Sequence, residues 1–370
     1  MIYLDSAATT AVRREVLEAM WPWLAGPPGN PSSAHDLGRA AALALADARA
    51  SVAEILGCRA SEVVFTSGGT ESDNLALKGI TLASARGRHV VTTAVEHPAV
   101  LESCDYLARY HGAEITIVGV DSTGLVDPDE IAAALRDDTA LVAVMYANNE
   151  VGAVQPIASI AEAARARGIP MYTDAVQAAG CLDLSIANLG VDALGISGHK
   201  LGAPHGIGAL AVRAGVPLEP LVHGGGQERG RRSGTEDVAA AVGLATALRL
   251  AVAPAPSTFI DDVLATVPSA ILTGPREQRL PAHASFCFPG TSGESVLLEL
   301  ESRGIVCSSG SACAAGTDEP SEVLTAMGIP AEVAQTAVRF TWGAGVTAEE
   351  LAKAVHELGV AVERVRALGA

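Results

Sequence analysis

A chain of 370 residues is long for a single hydrophobic core, so a large unit and a smaller one are expected. Its 49% hydrophobic and 18% charged residues exclude intrinsic disorder. With 25 basic against 42 acidic side chains the net charge is −17, which argues against a broad surface for nucleic acid or an anionic membrane and for a soluble protein.

The N-terminus, MIYLDSAATT, has neither a basic n-region nor an apolar h-region, so no signal peptide is expected. From about residue 60 to 215, short apolar runs alternate with helical patterns. The strand candidates are EVVFTS (62–67), HVVTTA (89–94), EITIVGV (114–120), ALVAVMY (140–146), IPMYTDA (169–175), VDALGIS (191–197) and IGALAVR (207–213). Between them, Asp127-Pro128-Asp129-Glu130 gives a helix an N-cap, a first-turn proline and an acidic third position ahead of IAAALRDD. Pro156 opens IASIAEAARAR and Gly168 closes it. This alternation predicts a mostly parallel α/β sheet with helices on both faces, and ligands in such sheets bind beyond the carboxyl ends of the strands. The apolar stretch from Val238 is broken by Arg249 and then by prolines, and reads as a packed helix rather than a membrane span. AVAPAPSTF follows as a linker. The remainder contains ASFCFP, the helical ESVLLELESRG and a closing helix whose Thr347 and Glu350 have capping-box spacing. These patterns divide the chain into residues 15–250 and a smaller α/β unit of 1–14 with 251–370.

Three strand ends carry unusual polar groups. Ser67-Gly68-Gly69-Thr70 turns into a helix, so free N–H groups and a positive dipole end point out of the sheet as a phosphate cradle, although a bare Gly-Gly-Thr turn is commonly an ordinary loop. Asp174 ends a strand with Gln177 one turn later; an acid there also serves as a plain helix cap. Lys200, beside His199 and Ser197 in a Gly-rich turn, is either solvated or a desolvated Schiff-base lysine. Together, a cradle, a strand-end carboxylate and such a lysine are the requirements of pyridoxal phosphate. His97, in EHPAV after another strand, could stack on the ring or move protons, or simply end a turn.

Residues 307–320 read CSSGSACAAGTDEP. By itself this stretch leaves Cys313 open as a metal ligand, half of a disulfide, an inert side chain or a nucleophile. Cys313 is the one cysteine on an arm of Gly, Ser and Ala. Cys307 closes a strand, and the six cysteines are too sparse for a disulfide scaffold, with no CxxC pair; free thiols in a reducing cytoplasm follow. Cys58, Cys104, Cys181 and Cys287 read as small buried hydrophobes.

YLDSAATT, GNPSSAH, FTSGGTESDN, EHPAV, ANNEVGAVQPI, TDAVQ, SGHKLGAPHGIGAL, HGGGQERGRRSGTE and SSGSAC occur in order over nearly the whole chain. In these motifs the sequence resembles the cysteine desulfurases of the NifS/IscS type, class V aminotransferases with the fold-type I pyridoxal-phosphate architecture. That architecture has a large domain with a mostly parallel seven-stranded sheet and a smaller C-terminal α/β domain. The resemblance implies Lys200 as the Schiff-base lysine, Asp174 on the pyridine nitrogen, Gln177 on the ring hydroxyl, His97 stacked on the ring and Asn148 near cofactor and substrate. It implies Gly69, Thr70, Ser197 and His199 at the phosphate, with Thr235 reaching it from the other subunit of a homodimer. Arg339 would take the substrate carboxylate, with Asn30 and Arg232 as further substrate-pocket residues.

The implied reaction takes sulfur from L-cysteine, leaving L-alanine and a persulfide on Cys313. The persulfide goes to a sulfur-accepting protein, an iron–sulfur scaffold or a thiolation enzyme, without direct contact with nucleic acid or membrane. No resident metal is expected; Cys313 could ligate an iron–sulfur cluster transiently through its persulfide. A selenocysteine lyase, another pyridoxal-phosphate enzyme of the same fold, or a catalytically silent sulfur carrier are the alternatives. Three departures stand out. His205 replaces a common Lys, and the Pro/Ala-rich 251–282 region is short, as if a helix were trimmed. The chain also stops soon after its last helix, which leaves delivery through a C-terminal tail open.

Overall fold

The computed structural model describes residues 1–309 and 320–369. After a two-residue strand β1 (Ile2–Tyr3), seven strands enter one sheet: β2 (Val63–Thr66), β3 (His89–Thr93), β4 (Glu114–Val118), β5 (Thr139–Ala143), β6 (Met171–Asp174), β7 (Ala193–Ser197) and β8 (Gly208–Val212). Their order is β2-β8-β7-β6-β5-β3-β4, parallel from β4 through β7, with β8 antiparallel to both of its neighbours. All seven coincide with the apolar runs of the sequence. Every residue of β2, β3 and β5–β8 is buried. A sheet covered on both faces demands this, and it explains continuous apolar runs in place of polar alternation. Edge strand β4 instead exposes Glu114 and Ile117.

Helices Asp36–Ile55, Ile157–Ala166 and Val238–Arg249 cover one face, packing Leu45, Ile160 and Leu244 into its core. Helices Gly69–Ala83 and Pro98–His111 cover the other through Leu75, Ile80, Val100 and Leu107. The local punctuation operates as the residues suggest. Asp127 accepts a hydrogen bond from Asp129 N at 2.9 Å, and Gly168, at φ +62°, ends its helix in the left-handed region. The helix opened by Pro128 is shorter than IAAALRDD suggests. It stops at Ala134, where Leu135 turns extended and Arg136 N donates to the Thr139 hydroxyl.

A second core surrounds the antiparallel β9 (Ile271–Leu272), β10 (His283–Cys287) and β12 (Ala337–Thr341), with β11 (Ile305–Val306) pairing parallel to β1. Phe259, Phe286, Phe340, Trp342 and Leu358 fill it together with Ile2 and Leu4. The 251–282 region contributes the eight-residue helix Phe259–Thr266. The first residues of the chain thus belong to this core, and the segment after them runs across to the large sheet: Thr341 N donates to Leu4 O at 2.8 Å and Thr10 N to His199 O at 2.9 Å. Among the described residues no helix is long and apolar enough to cross a membrane.

Candidate active site

Gly69, His97, Asn148, Asp174 and Lys200 all lie just past or at the carboxyl ends of β2, β3, β5, β6 and β7, where an open parallel sheet gathers ligands. The helix after β2 starts at Gly69 with no side-chain cap, leaving its first N–H groups for an anion. Gly68 there has φ +153°, accessible to glycine and strained for other residues. A Cβ on Gly69 would stand 2.7 Å from Val176 Cγ2 and 3.5 Å from Ser197 Cβ, so this glycine lets the β2, β6 and β7 ends close together. Ser197 is buried at that junction, and Thr70 faces solvent at its rim.

Asp174 is buried and accepts from Val176 N at 2.8 Å. Burial pushes its carboxyl upward, while the Val176 N–H and the charges of His97 and Lys200 pull it down. A cation set against it would complete its pairing, and a protonated pyridine nitrogen is such a cation. His97 begins the next helix, and its Nδ1 accepts from Ala99 N at 3.1 Å, which places the neutral ring's proton on Nε2. Burial lowers its pKa, so the uncharged form is favoured at neutral pH. Asn148, fully buried, donates to Val95 O at 2.9 Å and accepts from the amides of Glu150 and Val151, which stiffens the loop after β5.

The lysine meets the N-terminal segment. Lys200 Nζ donates to the carbonyls of Ala7 and Ala8, and Gln177 Nε2 donates to Ala7 O at 3.1 Å. Thr10 binds His199 O through its hydroxyl at 2.8 Å, and the Thr9 hydroxyl lies between His199 Nδ1 (3.1 Å) and His205 Nε2 (3.2 Å). The two imidazoles stack at 5.0 Å; burial, then the neighbouring Lys200 and His205, lower His199 to about 4. A cavity of about 660 Å³ opens beside this segment, lined by Ser6, Ala7, Gln177, Lys200, His283 and Trp342, with Asp174 and His97 outside its walls. It therefore opens on the lysine side.

Arg339, fully buried at the middle of β12, donates Nη1 to Asn149 O and Nη2 to Asp5 Oδ1, each at 2.8 Å. Asn149 O also takes His283 Nε2 at 3.2 Å. The Asn148 loop, Arg339 and the N-terminal segment are thus one hydrogen-bonded unit. Arg232 pairs instead with Glu71, next to Thr70, at 2.9 Å. Asn30 and Thr235 are exposed; Asn30 Oδ1 receives Ser32 N within its own turn. Cys313 lies outside the described residues. Asp5 and the carbonyls of Ala7, Ala8 and Asn149 received no role from sequence reasoning, although YLDSAATT and ANNEVG were singled out as motifs. No local pattern marks Asp5, because its partner Arg339 lies 334 positions away.

The sequence pattern of the class-V aminotransferases (Aminotransferase class-V) matches residues 2–353. The chain belongs to that family. Among class-V relatives, it is 43% identical to "Cysteine desulfurase IscS" of Dictyoglomus turgidum, over 99% of this chain and 96% of that protein. It is 44% identical to "IscS-like cysteine desulfurase" of Mycobacterium tuberculosis, over 99% and 97%. A solved NifS-like protein superposes with a TM-score of 0.89 at 35% identity, covering 98% of this chain and 99% of that one. SspA, solved in complex with cysteine, superposes at 0.83, also at 35% identity, over 93% and 99%. Within the family the chain stands with the cysteine desulfurases of the NifS/IscS type, and its α/β architecture is theirs. Pyridoxal phosphate is the cofactor of this family and of this chain. The side chains present fit it: uncapped helix N–H groups and a tight glycine for a phosphate, a buried carboxylate at a strand end, and a lysine held by carbonyls beside it.

Proposed function

We propose that this chain removes the sulfur of L-cysteine, releasing L-alanine and leaving a persulfide on Cys313 for transfer to an acceptor protein. The observation that carries this reading is the short N-terminal segment that holds both cations of the site. Asp5 pairs with Arg339, Ala7 and Ala8 bind Lys200, and Ala8 N turns back onto Asp5 O at 3.0 Å. Three residues of chain span at most about 10 Å. A guanidinium able to bind a carboxylate and the site's amine are therefore held by one four-residue stretch, Asp5–Ala8, as an α-amino acid joined to a cofactor requires.

In this reading Gly69, Thr70, Ser197 and His199 hold the cofactor phosphate, Asp174 faces the ring nitrogen, Gln177 the ring hydroxyl and His97 the ring face. The bound cofactor supplies a sink for the electrons of the substrate's Cα–H bond. Arg339 binds the substrate carboxylate, and Asn148 orients the substrate beside it. Lys200, released to act as a base, takes the proton from Cα and later returns one; His97, neutral with its proton on Nε2, is the second group able to move it. The Cys313 thiolate attacks the substrate sulfur, so an S–S bond forms as the Cβ–Sγ bond breaks. Protonation of the carbon fragment gives L-alanine.

The active unit is proposed to be a cytoplasmic homodimer in which Thr235 serves the neighbouring subunit. Residues 15–250 form the cofactor domain, and 1–14 with 251–370 form the smaller one. An iron–sulfur scaffold or a thiolation enzyme collects the sulfur. The decisive assay adds L-cysteine with and without a reductant and measures alanine and sulfide. Cys313→Ser is expected to abolish sulfide release while the cofactor stays bound. Sulfide at the native rate from that variant would refute the mechanism.

A further inference from the structure

Arg339 is 1% exposed and sits between Val338 and Phe340 of the second core. A guanidinium so far from water needs an anion beside it at all times, because an unpaired buried charge is strongly destabilising. Among the described residues one carboxylate is in ion-pair contact with it: Asp5, through Oδ1 and Nη2. Among the same residues its other acceptor is the uncharged carbonyl of Asn149, and Nε is buried with no acceptor. The edge of the guanidinium that includes Nε therefore remains incompletely used. A second carboxylate could satisfy it bidentately, a geometry stronger than the single contact that Asp5 makes.

The two members of the pair are held differently. Arg339 is fixed on both sides of its strand, facing Ser285 of β10 and exchanging backbone bonds with Ser308 at 3.2 and 2.7 Å. Asp5 lies past the end of β1, and its side chain retains 18% exposure against 1% for Arg339. If the pair separates, Asp5 is the member with a way into water.

Resting on the reading of Arg339 as the carboxylate-binding group, we propose that Asp5 is its resident counter-ion. It holds the guanidinium in place while the site is empty, and the carboxylate of the amino-acid substrate competes with it and displaces it. An incoming carboxylate then meets a neutral pair in place of a bare cation. Affinity for amino acids is set by the difference between two carboxylates, and Asp5 is a specificity-determining positioning residue acting through Arg339.

The test measures binding of L-alanine and of ethylamine, which lacks only the carboxylate, to the cofactor-loaded protein by calorimetry. In Asp5→Asn the amide oxygen still accepts from Nη2 but the competing charge is gone. L-Alanine is expected to bind about fivefold or more tightly relative to ethylamine, as removal of one partly exposed charge predicts. Asp5→Glu is expected to restore the native ratio. Unliganded Asp5→Asn should unfold at a lower temperature than the native protein, and L-alanine should raise that temperature by more than it raises the native one. A weaker L-alanine interaction in Asp5→Asn, or equal changes for both ligands, would overturn the proposal. If Asp5→Asn does not accumulate as folded protein, acetate should stabilise Asp5→Ser by taking the vacated place, and no effect of acetate counts against it. Arg339→Gln tests the carboxylate-binding role alone: an unchanged preference for L-alanine over ethylamine there refutes the reading of Arg339 itself.

Discussion

Cys58 and Cys287 are pushed by burial to about 11 and Cys104 to about 12, while burial also raises Cys181 and Cys307. Alkylation proceeds through the thiolate, so each of these five should react more slowly than an ordinary exposed thiol at neutral pH, Cys58, Cys104 and Cys287 by about a hundredfold or more. Brief treatment with iodoacetamide at pH 7.5 is therefore expected to modify Cys313 alone, as read by peptide mass spectrometry. Rapid modification of Cys307 would reopen the choice of nucleophile. Glu96 offers a second test at this scale. It is buried, accepts from Thr93 Oγ1 at 2.6 Å and from Met145 N, and burial lifts it to about 8. The folded protein then holds a proton that the unfolded chain releases near pH 4.5, so this group's stabilising contribution is complete below that pH. It is lost as pH rises to about 8, and ionisation over this window costs on the order of a few kcal/mol. Urea unfolding of cofactor-free Glu96→Gln should show a flatter pH dependence than the native protein from pH 5 to 8, with the variant gaining most at the alkaline end. Lys200, Asp174 and His97 were legible because a strand pattern immediately precedes each. Asp5 and Glu96 were not, because their partners are Arg339, 334 positions away, and Met145, 49 away, and neither leaves a local trace.

At the scale of elements, the strands and helix starts followed from local chemistry, and the helix ends followed only where a glycine marks them. Gly168 stops its helix visibly, whereas the helix at Pro128 stops at Ala134 because a tertiary turn takes over, with Arg136 reaching Thr139, Asp138 and Glu114. The caps themselves are testable. Asp127 satisfies Asp129 N at the helix start, and Thr347 and Glu350 form the reciprocal capping box that their spacing indicates, at 2.9 and 3.2 Å. Asp127→Ala should lower unfolding free energy by about 1 kcal/mol, and Asp127→Asn should recover most of it, since either side chain accepts that N–H. A loss as large in the Asn variant would mean that the carboxylate charge, and not the cap, is what matters there.

The molecule as a whole depends on contacts that no stretch of sequence displays. Arg49, on helix Asp36–Ile55, forms a bidentate pair with Glu228 at 2.6 and 2.7 Å, 179 residues later, and also binds Val63 O of β2. Glu228 in turn accepts from Phe65 N of the same strand. Glu228 and Arg229 hold φ of 48° and 58°, a conformation that costs about 1–3 kcal/mol per residue unless surroundings impose it. The pair imposes it, and through it fixes the 223–236 segment that brings Arg232 against Glu71 beside the cradle. Glu228→Gln leaves a buried guanidinium without its anion and should cost about 3–5 kcal/mol. Arg49→Met combined with Glu228→Gln removes the stranded charge and should cost less than the sum of the single changes, the sign of direct coupling. Both effects can be read by urea unfolding, with the visible absorbance of the bound cofactor followed alongside. If the segment serves the cradle, cofactor retention in Glu228→Gln should fall before global unfolding begins. Loss of cofactor and fold at one urea concentration would show that the pair supports the large sheet and not the site. The hydrophobic cores and this buried pair then divide the work. Packing sets the fold, and a few long-range charge pairs, Arg49–Glu228 and Arg339–Asp5, set where the site's loops come to rest.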